Sequence, residues 1–514
     1  MNDKICGYVL DREQQEIVLD ESQNLLVVAG AGSGKTLTII GKIYYLIRYK
    51  KIRPEEILCI SFTKASAQNL KEKIKIELDY DVPVYTFHKL SLEILKSCSF
   101  HYQISQADLL ETIIFNFFTV EILKSRKHML LVLNYFDEFI VANVEKCYLK
   151  LLKSKHEELC LFYKIIETFI RLFKCNNYDL DSFNLFLKKA KNTINYFSYK
   201  KEKILLTLIL NIYIQYESYL NENQEIDFDD MISLATQNVK KLGIKQKYKY
   251  VIIDEYQDTS KVRFLLIKSI IDKTNAKLMV VGDDFQSIYR FTGCDLDLFL
   301  DFSKYFEEAR VLKIQTTYRN SCELITTAGS FVMKNRKQIK KILTSQKQLN
   351  KPIKVIYYKD IKTGLKKLIN FIYEKTNKPI LILGRNNKDI FMVIDKSFKV
   401  EGDNVIYLKN QHMKIRYLTV HRSKGLEEES VVVINLENKI LGFPSQIKDD
   451  KILRFVSLNS DNYLYSEERR LFYVALTRTK GYVYLLTPKN NPSVFIEELL
   501  RDYKENIEII DYEF

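Results

Sequence analysis

The stretch from Asn24 to Thr36 limits the possible folds of this chain more than any other. Asn24–Val28 is a short apolar strand that runs straight into Ala29, Gly30, Ala31, Gly32, Ser33, Gly34, Lys35 and Thr36. Leu37, Ile40, Tyr44 and Ile47 then recur at helical spacing. A strand, a glycine-rich turn ending in Gly-Lys-Thr, and a helix form a P-loop. The glycines let backbone N–H groups converge on phosphate oxygens at a helix N-terminus, where the helix dipole also favours anions. Lys35 is placed to neutralise the β- and γ-phosphates of a nucleoside triphosphate, and the Thr36 hydroxyl to ligate Mg²⁺.

Such a site needs a second strand that ends in acids. Tyr250–Ile253 supplies a continuous apolar run, as expected of a buried parallel strand, and Asp254 and Glu255 follow it. Ligands of open α/β sheets sit at the carboxyl ends of the strands. Asp254 therefore suits the metal, and Glu255 can polarise an attacking water. A further strand, Lys277–Val281, leads into Gly282, Asp283, Asp284, Phe285 and Gln286, and Gln286 is placed to meet the γ-phosphate or that water.

Residues 101–225 differ from both flanks. They contain no glycine and no proline across 125 positions and run in long amphipathic stretches, so they read as helical. Strand signals resume beyond them, which marks an insertion into the first α/β unit. The expected domains are 1–100 with 226–310, the 101–225 insertion, and 311–514. Charge points the same way as the P-loop: 79 Lys and Arg against 65 Asp and Glu give a net +14, which favours a polyanionic partner. The eight cysteines form no C-x-x-C pair, which suits buried thiols in a reducing cytosol rather than a zinc or redox motif. The N-terminus lacks the apolar core of a signal peptide, and the 11-residue run Ile204–Ile214 is too short to span a bilayer. A soluble, cytoplasmic protein with no membrane partner is expected.

Taken in order, these segments and several others resemble the motifs of superfamily 1 helicases of the UvrD/Rep type. Leu10–Gln15 resembles the adenine-reading Q motif. Ser61–Ser66 and Tyr85–Leu90 resemble motifs Ia and Ib. Asp254–Asp258 resembles motif II, and Gly282–Phe291 motif III. Thr317–Ser321, Thr419–Glu427 and Glu467–Arg478 resemble motifs IV, V and VI. Within the family, Arg290–Gly293, Thr317–Ser321 and Gly442–Ser445 carry a closer likeness to helicase IV-like proteins, here without their long N-terminal arm. Leu37 departs from the pattern, standing where many relatives carry a base-stacking Arg.

The resemblance implies two RecA-like P-loop NTPase domains with ATP and Mg²⁺ in the cleft between them. Lys35, Thr36, Asp254, Glu255 and Gln286 would lie on the first, and Arg319 and Arg478 would reach across from the second. It further implies that Gln14 reads adenine, that Tyr318 stacks on it, and that Glu427 touches the ribose. Phe62, Thr63, His88, Tyr289, Arg290, Phe291, His421 and Lys424 would form a track for single-stranded DNA. Arg319 and His421 lie 102 positions apart, too close for the large second-domain insertion of the UvrD and Rep enzymes. The implied activity is ATP-dependent 3′–5′ translocation on single-stranded DNA and unwinding of 3′-tailed duplex, in DNA repair, recombination or antiphage defence, with a protein partner from such a system. The alternative is an accessory ATPase that remodels protein–nucleic acid complexes without processive unwinding. A nuclease partner domain after motif VI is not expected, because only 36 residues follow Arg478.

Overall fold

A computed structural model describes residues 5, 7, 9–97, 102–138, 143–191, 195–457, 461 and 463–510. Among them, two sheets form the cores of two α/β bodies. The first contains β1 (Asn24–Ala29), β2 (Ile57–Ile60), β3 (Val84–Tyr85), β4 (Tyr250–Ile253), β5 (Lys277–Gly282) and β6 (Ala309–Ile314). All its pairings are parallel, in the order β3-β2-β4-β5-β1-β6. The residues of β1, β2 and β4 are buried throughout, so these strands are the uninterrupted apolar runs that helices on both faces require. The switch in strand order opens a crevice at the carboxyl ends of β1 and β4, where the P-loop and the acids lie.

The second body holds β7 (Ile353–Tyr358), β8 (Ile380–Gly384), β9 (Phe398–Glu401), β10 (Asn404–Tyr407), β11 (Ile415–Thr419), β12 (Glu428–Val433), β13 (Thr479–Pro488) and β14 (Ile507–Ile510). Their order is β9-β10-β11-β8-β12-β13-β7-β14, parallel except where β10 meets β9 and β11. Every strand described between Arg319 and His421 belongs to this sheet. The expected boundary at 310/311 cuts through β6, which pairs with β1 over its whole length, so the first sheet continues to Ile314. Local pattern could not place that strand, because it joins the sheet beside a partner almost 300 positions earlier.

The insertion folds mostly as helices, including α1 (His156–Cys175) and α2 (Tyr196–Glu222). A two-residue parallel ladder, Gln103–Ile104 with Glu225–Ile226, ties its root together. Its aromatic core is completed from the second body by Ile452, Phe455 and Val456. Arg454 forks onto Glu202 of α2 at 2.8 Å through both terminal nitrogens, and the Asn176 side chain donates to the Val456 carbonyl at 2.7 Å. Asp227 caps the next helix, α3 (Phe228–Leu242), in a reciprocal capping box with Asp230. Lys174 at the end of α1 is buried against Asp227, Asp230 and Glu217.

Of the cysteines, Cys59, Cys175 and Cys294 are buried and Cys147 and Cys322 half-buried, while Cys160 is exposed, contrary to the expectation of buried thiols; Cys6 and Cys98 lie outside the described residues. No helix among the described residues is long and apolar enough to cross a membrane.

Candidate nucleotide site and nucleic-acid track

The P-loop has the backbone that an anion cradle needs. Gly32 and Gly34 lie at φ +69° and +78°, and Gly34 caps the helix Lys35–Arg48. A side chain at Gly32 would also collide with the Arg319 Cβ, at 2.4 Å. Ala29 and Ala31 are buried, as is Ser33, whose hydroxyl finds no hydrogen-bond partner among the described residues. Lys35 pairs with Glu255 at 3.1 Å. Thr36 is the second residue of that helix, and Asp254 emerges at the end of β4, its Oδ1 accepting from the Glu255 N–H at 2.9 Å. Burial and the neighbouring Glu255 raise the Asp254 carboxyl to about 6. Burial also pushes Glu255 upward, but Lys35 and Lys424 outweigh it and hold that carboxylate well below its usual range. Glu255 sits in the left-handed region at φ 54°, backbone strain of the kind kept at functional positions. The donor set suits Mg²⁺: a hard cation beside Thr36 and Asp254 would offset the cost of burying two adjacent carboxylates.

Residues from motif IV onward close over this cradle. The Thr317 hydroxyl donates to the Ala31 carbonyl at 2.7 Å, and the Tyr318 N–H donates to the Gly32 carbonyl at 2.9 Å. Tyr473 of α4 (Ser466–Leu476) accepts from the Ala31 N–H at 3.4 Å. Arg478 is fully buried and, among the described residues, hydrogen-bonds only neutral groups: the carbonyls of Val474 and Leu426, the Thr477 hydroxyl, and Gln286 Oε1 at 3.2 Å. Burial, with the nearby Arg319, presses its guanidinium down to about 9. A buried cation that bonds no carboxylate among the described residues, beside a phosphate cradle, is suited to a γ-phosphate.

The structure gives several of the expected residues protein partners. Glu427, expected at the ribose, accepts from Arg319 Nε at 2.6 Å and pairs with Lys480 at 2.9 Å. Gln286 is bound between Asp283, 2.6 Å from its amide nitrogen, and Arg478. Gln14 is buried and donates to the Ser33 carbonyl at 3.2 Å, which places its side chain against the P-loop. Tyr318 is 58% exposed, its hydroxyl on Asp11 at 2.5 Å, which leaves a ring face open for stacking.

The aromatic track crosses both bodies. Phe62 and Tyr289 stack with centroids 6.1 Å apart and planes within 11°. Phe291 meets Tyr289 edge-on at 6.1 Å and His421 at 5.6 Å, and the Tyr289 hydroxyl donates to the His421 carbonyl at 2.9 Å. Phe291 is 58% exposed, a free face of the sort on which bases stack. His88 packs edge-on against Phe228 at 5.0 Å. Burial first, then neighbouring cations, lower both His88 and His421 to about 4, so each is neutral near pH 7. Thr63 caps the helix Lys64–Leu78, accepting from the Ser66 N–H at 3.0 Å.

Two of the residues expected at DNA form ion pairs within the protein. Arg290 is paired with Glu467 at 2.9 Å and Asp449 at 2.5 Å. Lys424 is nearly buried on Asp258, lies 2.9 Å from the Gln286 carbonyl and 3.5 Å from Glu255, and sits 5.2 Å from the Tyr289 ring centroid. It joins the aromatic track to the acids of motif II. Sequence reasoning also missed Arg263, 4.6 Å from the Phe62 ring, along with Thr317, Tyr473 and Lys341. Thr317 and Tyr473 lie inside quoted motifs and could have been singled out there. Lys341 stands in a lysine-rich stretch that looks like solvated surface.

Two α/β bodies, a glycine cradle on one and a buried arginine from the other define a two-domain P-loop nucleoside triphosphatase. The family model for the UvrD/REP helicase N-terminal domain matches residues 10–307, and that for the UvrD-like helicase C-terminal domain matches 400–490. The chain belongs to the UvrD/Rep helicase family. It is 26% identical to DNA helicase IV of Escherichia coli, over 95% of this chain and 70% of that protein. It is 30% identical to the ATP-dependent DNA helicase Rep of Buchnera aphidicola (Acyrthosiphon pisum), over 69% of this chain. With the ATP-dependent DNA helicase PcrA of Bacillus subtilis it shares 27% identity over 68% of this chain. It spans half of that Rep protein and 42% of that PcrA protein.

Proposed function

We propose that the chain is an ATP-driven motor that moves 3′ to 5′ along single-stranded DNA and separates 3′-tailed duplexes. The observation that carries this reading is Lys424, a single side chain that meets Glu255 and Asp258 on one side and Tyr289 of the aromatic track on the other. A strand seated on Phe291, Tyr289 and Phe62 would bear on the group that handles the attacking water, so DNA binding and hydrolysis would be coupled. Lys35 and the P-loop amides would grip the phosphates, Mg²⁺ on Thr36 and Asp254 would neutralise charge, and Glu255 would orient water. Arg319 and Arg478 would meet charge developing on the γ-phosphate. Because they lie on the other body, turnover depends on the cleft being closed.

Repair, recombination or antiphage defence is the proposed setting, with a protein partner from such a system. The test is ATP hydrolysis with and without single-stranded DNA, then unwinding of duplexes bearing 3′ or 5′ tails. DNA-stimulated hydrolysis and a 3′-tail preference are expected. Unwinding confined to 5′-tailed substrates would overturn the polarity, and hydrolysis indifferent to DNA would overturn the coupling.

A further inference from the structure

Lys341 follows the helix Cys322–Val332, whose Leu324, Ile325 and Phe331 pack in the core of the second body. The lysine itself is plunged into motif III of the first. Its side chain and those of Asp283 and Asp284 are 0% exposed. The ammonium lies 2.5 Å from Asp283 Oδ1 and 2.7 Å from Asp284 Oδ1, and 3.7 Å from the Phe285 ring centroid. Asp284 Oδ2 accepts from the Ile339 N–H at 2.8 Å, which fastens the segment carrying the lysine. Burying three charges is costly and weak evidence for stability in itself. What matters is where the contacts lead.

Asp283 Oδ1 also accepts from the Phe285 N–H at 3.1 Å, and its Oδ2 takes the Gln286 amide at 2.6 Å. Gln286 Oε1 in turn receives Arg478. On the other side, the Asp283 N–H donates to Gln257 Oε1 at 3.0 Å, and Gln257 Nε2 donates to Glu255 at 2.6 Å. Two chains of hydrogen bonds thus leave Asp283, one from its carboxylate and one from its backbone N–H, and end on the arginine and the glutamate of the nucleotide site.

We propose that Lys341 is a positioning residue for ATP hydrolysis, fixing Asp283 and, through Gln286 and Gln257, the side chains of Arg478 and Glu255. It touches neither the P-loop nor the open ring of Tyr318. Its loss would leave two buried carboxylates facing each other with no cation between them, and Asp283 would no longer be held to receive Gln286. The effect should fall on turnover, not on nucleotide binding. This inference rests on the ATPase reading above.

The experiment compares Lys341→Met, Lys341→Arg and the double variant Lys341→Met with Asp284→Asn. The readouts are DNA-stimulated kcat and KM for ATP, affinity for a fluorescent ATP analogue, and melting temperature. Lys341→Met should lower kcat by about 10²-fold, the scale of a small misplacement of reacting groups, with KM and analogue affinity within about threefold of the parent. Lys341→Arg should recover much of the rate. The double variant should regain melting temperature by shedding an unpaired buried charge, while its kcat stays low. A Lys341→Met kcat close to the parental value, or a double variant that regains both quantities together, would overturn the proposal. A parent chain that hydrolyses no ATP would instead overturn the functional reading beneath it.

Discussion

Replacing Lys424 with methionine tests the link between track and nucleotide site most directly. The side chain is 9% exposed, and its partner Asp258 is 1% exposed. At an effective dielectric of about 20, a unit pair separated by the 3.5 Å seen to Glu255 attracts by about 5 kcal/mol, much of it offset by desolvation. Methionine preserves the volume of the stem but leaves Asp258 and Glu255 facing each other. Removing one partner of a buried pair typically costs about 3–5 kcal/mol. Asp258 already feels this pressure: burial raises its carboxyl to about 6 even though Lys424 opposes the shift. The assay is hydrogen exchange of the β4 amides in Lys424→Met, Asp258→Asn and the double variant, since two bodies can unfold separately and a single midpoint would mix them. A coupling energy of about 2 kcal/mol or more is expected between the two sites. DNA stimulation of ATPase should fall in Lys424→Met while weak basal turnover persists. Strictly additive effects on exchange, with stimulation intact, would refute the link.

Lys35→Ala should abolish tight ATP binding, whereas Glu255→Gln should keep binding and lose turnover; nucleotide titration and steady-state hydrolysis separate the two, and parental turnover in Glu255→Gln would remove its assignment. Phe291→Ala should uncouple unwinding from hydrolysis by deleting a stacking face worth about 1–3 kcal/mol per base, and full unwinding by that variant would displace the track. Because burial lowers His88 and His421 to about 4, their protonated forms are lost well below neutrality; DNA affinity at fixed salt should therefore be flat between about pH 6 and 8, where an unperturbed histidine would titrate. An inflection near 6.5 that disappears in His421→Asn would contradict this. Phe455→Ala should cost about 3–5 kcal/mol in the insertion's core, as large-to-small changes do. It should reduce unwinding more than single-strand-stimulated ATPase, and unchanged exchange protection of α2 would show that the second body does not support the insertion.

Much of the site was legible in the sequence because its signals are local. The P-loop is a turn between a strand and a helix, and turn chemistry is written in adjacent glycines. Tyr250–Ile253 and Lys277–Val281 were recognisable because strands buried on both faces read as unbroken apolar runs. The helical character of 101–225 followed from the absence of glycine and proline.

Pairings between distant segments were decided only by the tertiary structure. A lysine carries the same charge in sequence whether it ends in water or between two buried carboxylates. Lys341 and Lys424 therefore could not be told from surface or DNA-facing residues until residues 57 and 166 positions away came within bonding distance. Glu427 beside Arg319, and Arg290 between Glu467 and Asp449, are matters of the same kind: the partner, not the side chain, sets the role. The boundary at 310/311 failed because strand order in a parallel sheet is not chain order, so β6 pairs with β1. The completion of the insertion's core by Ile452, Phe455 and Val456 was likewise hidden, since apolar periodicity says that a face will be covered but not by what.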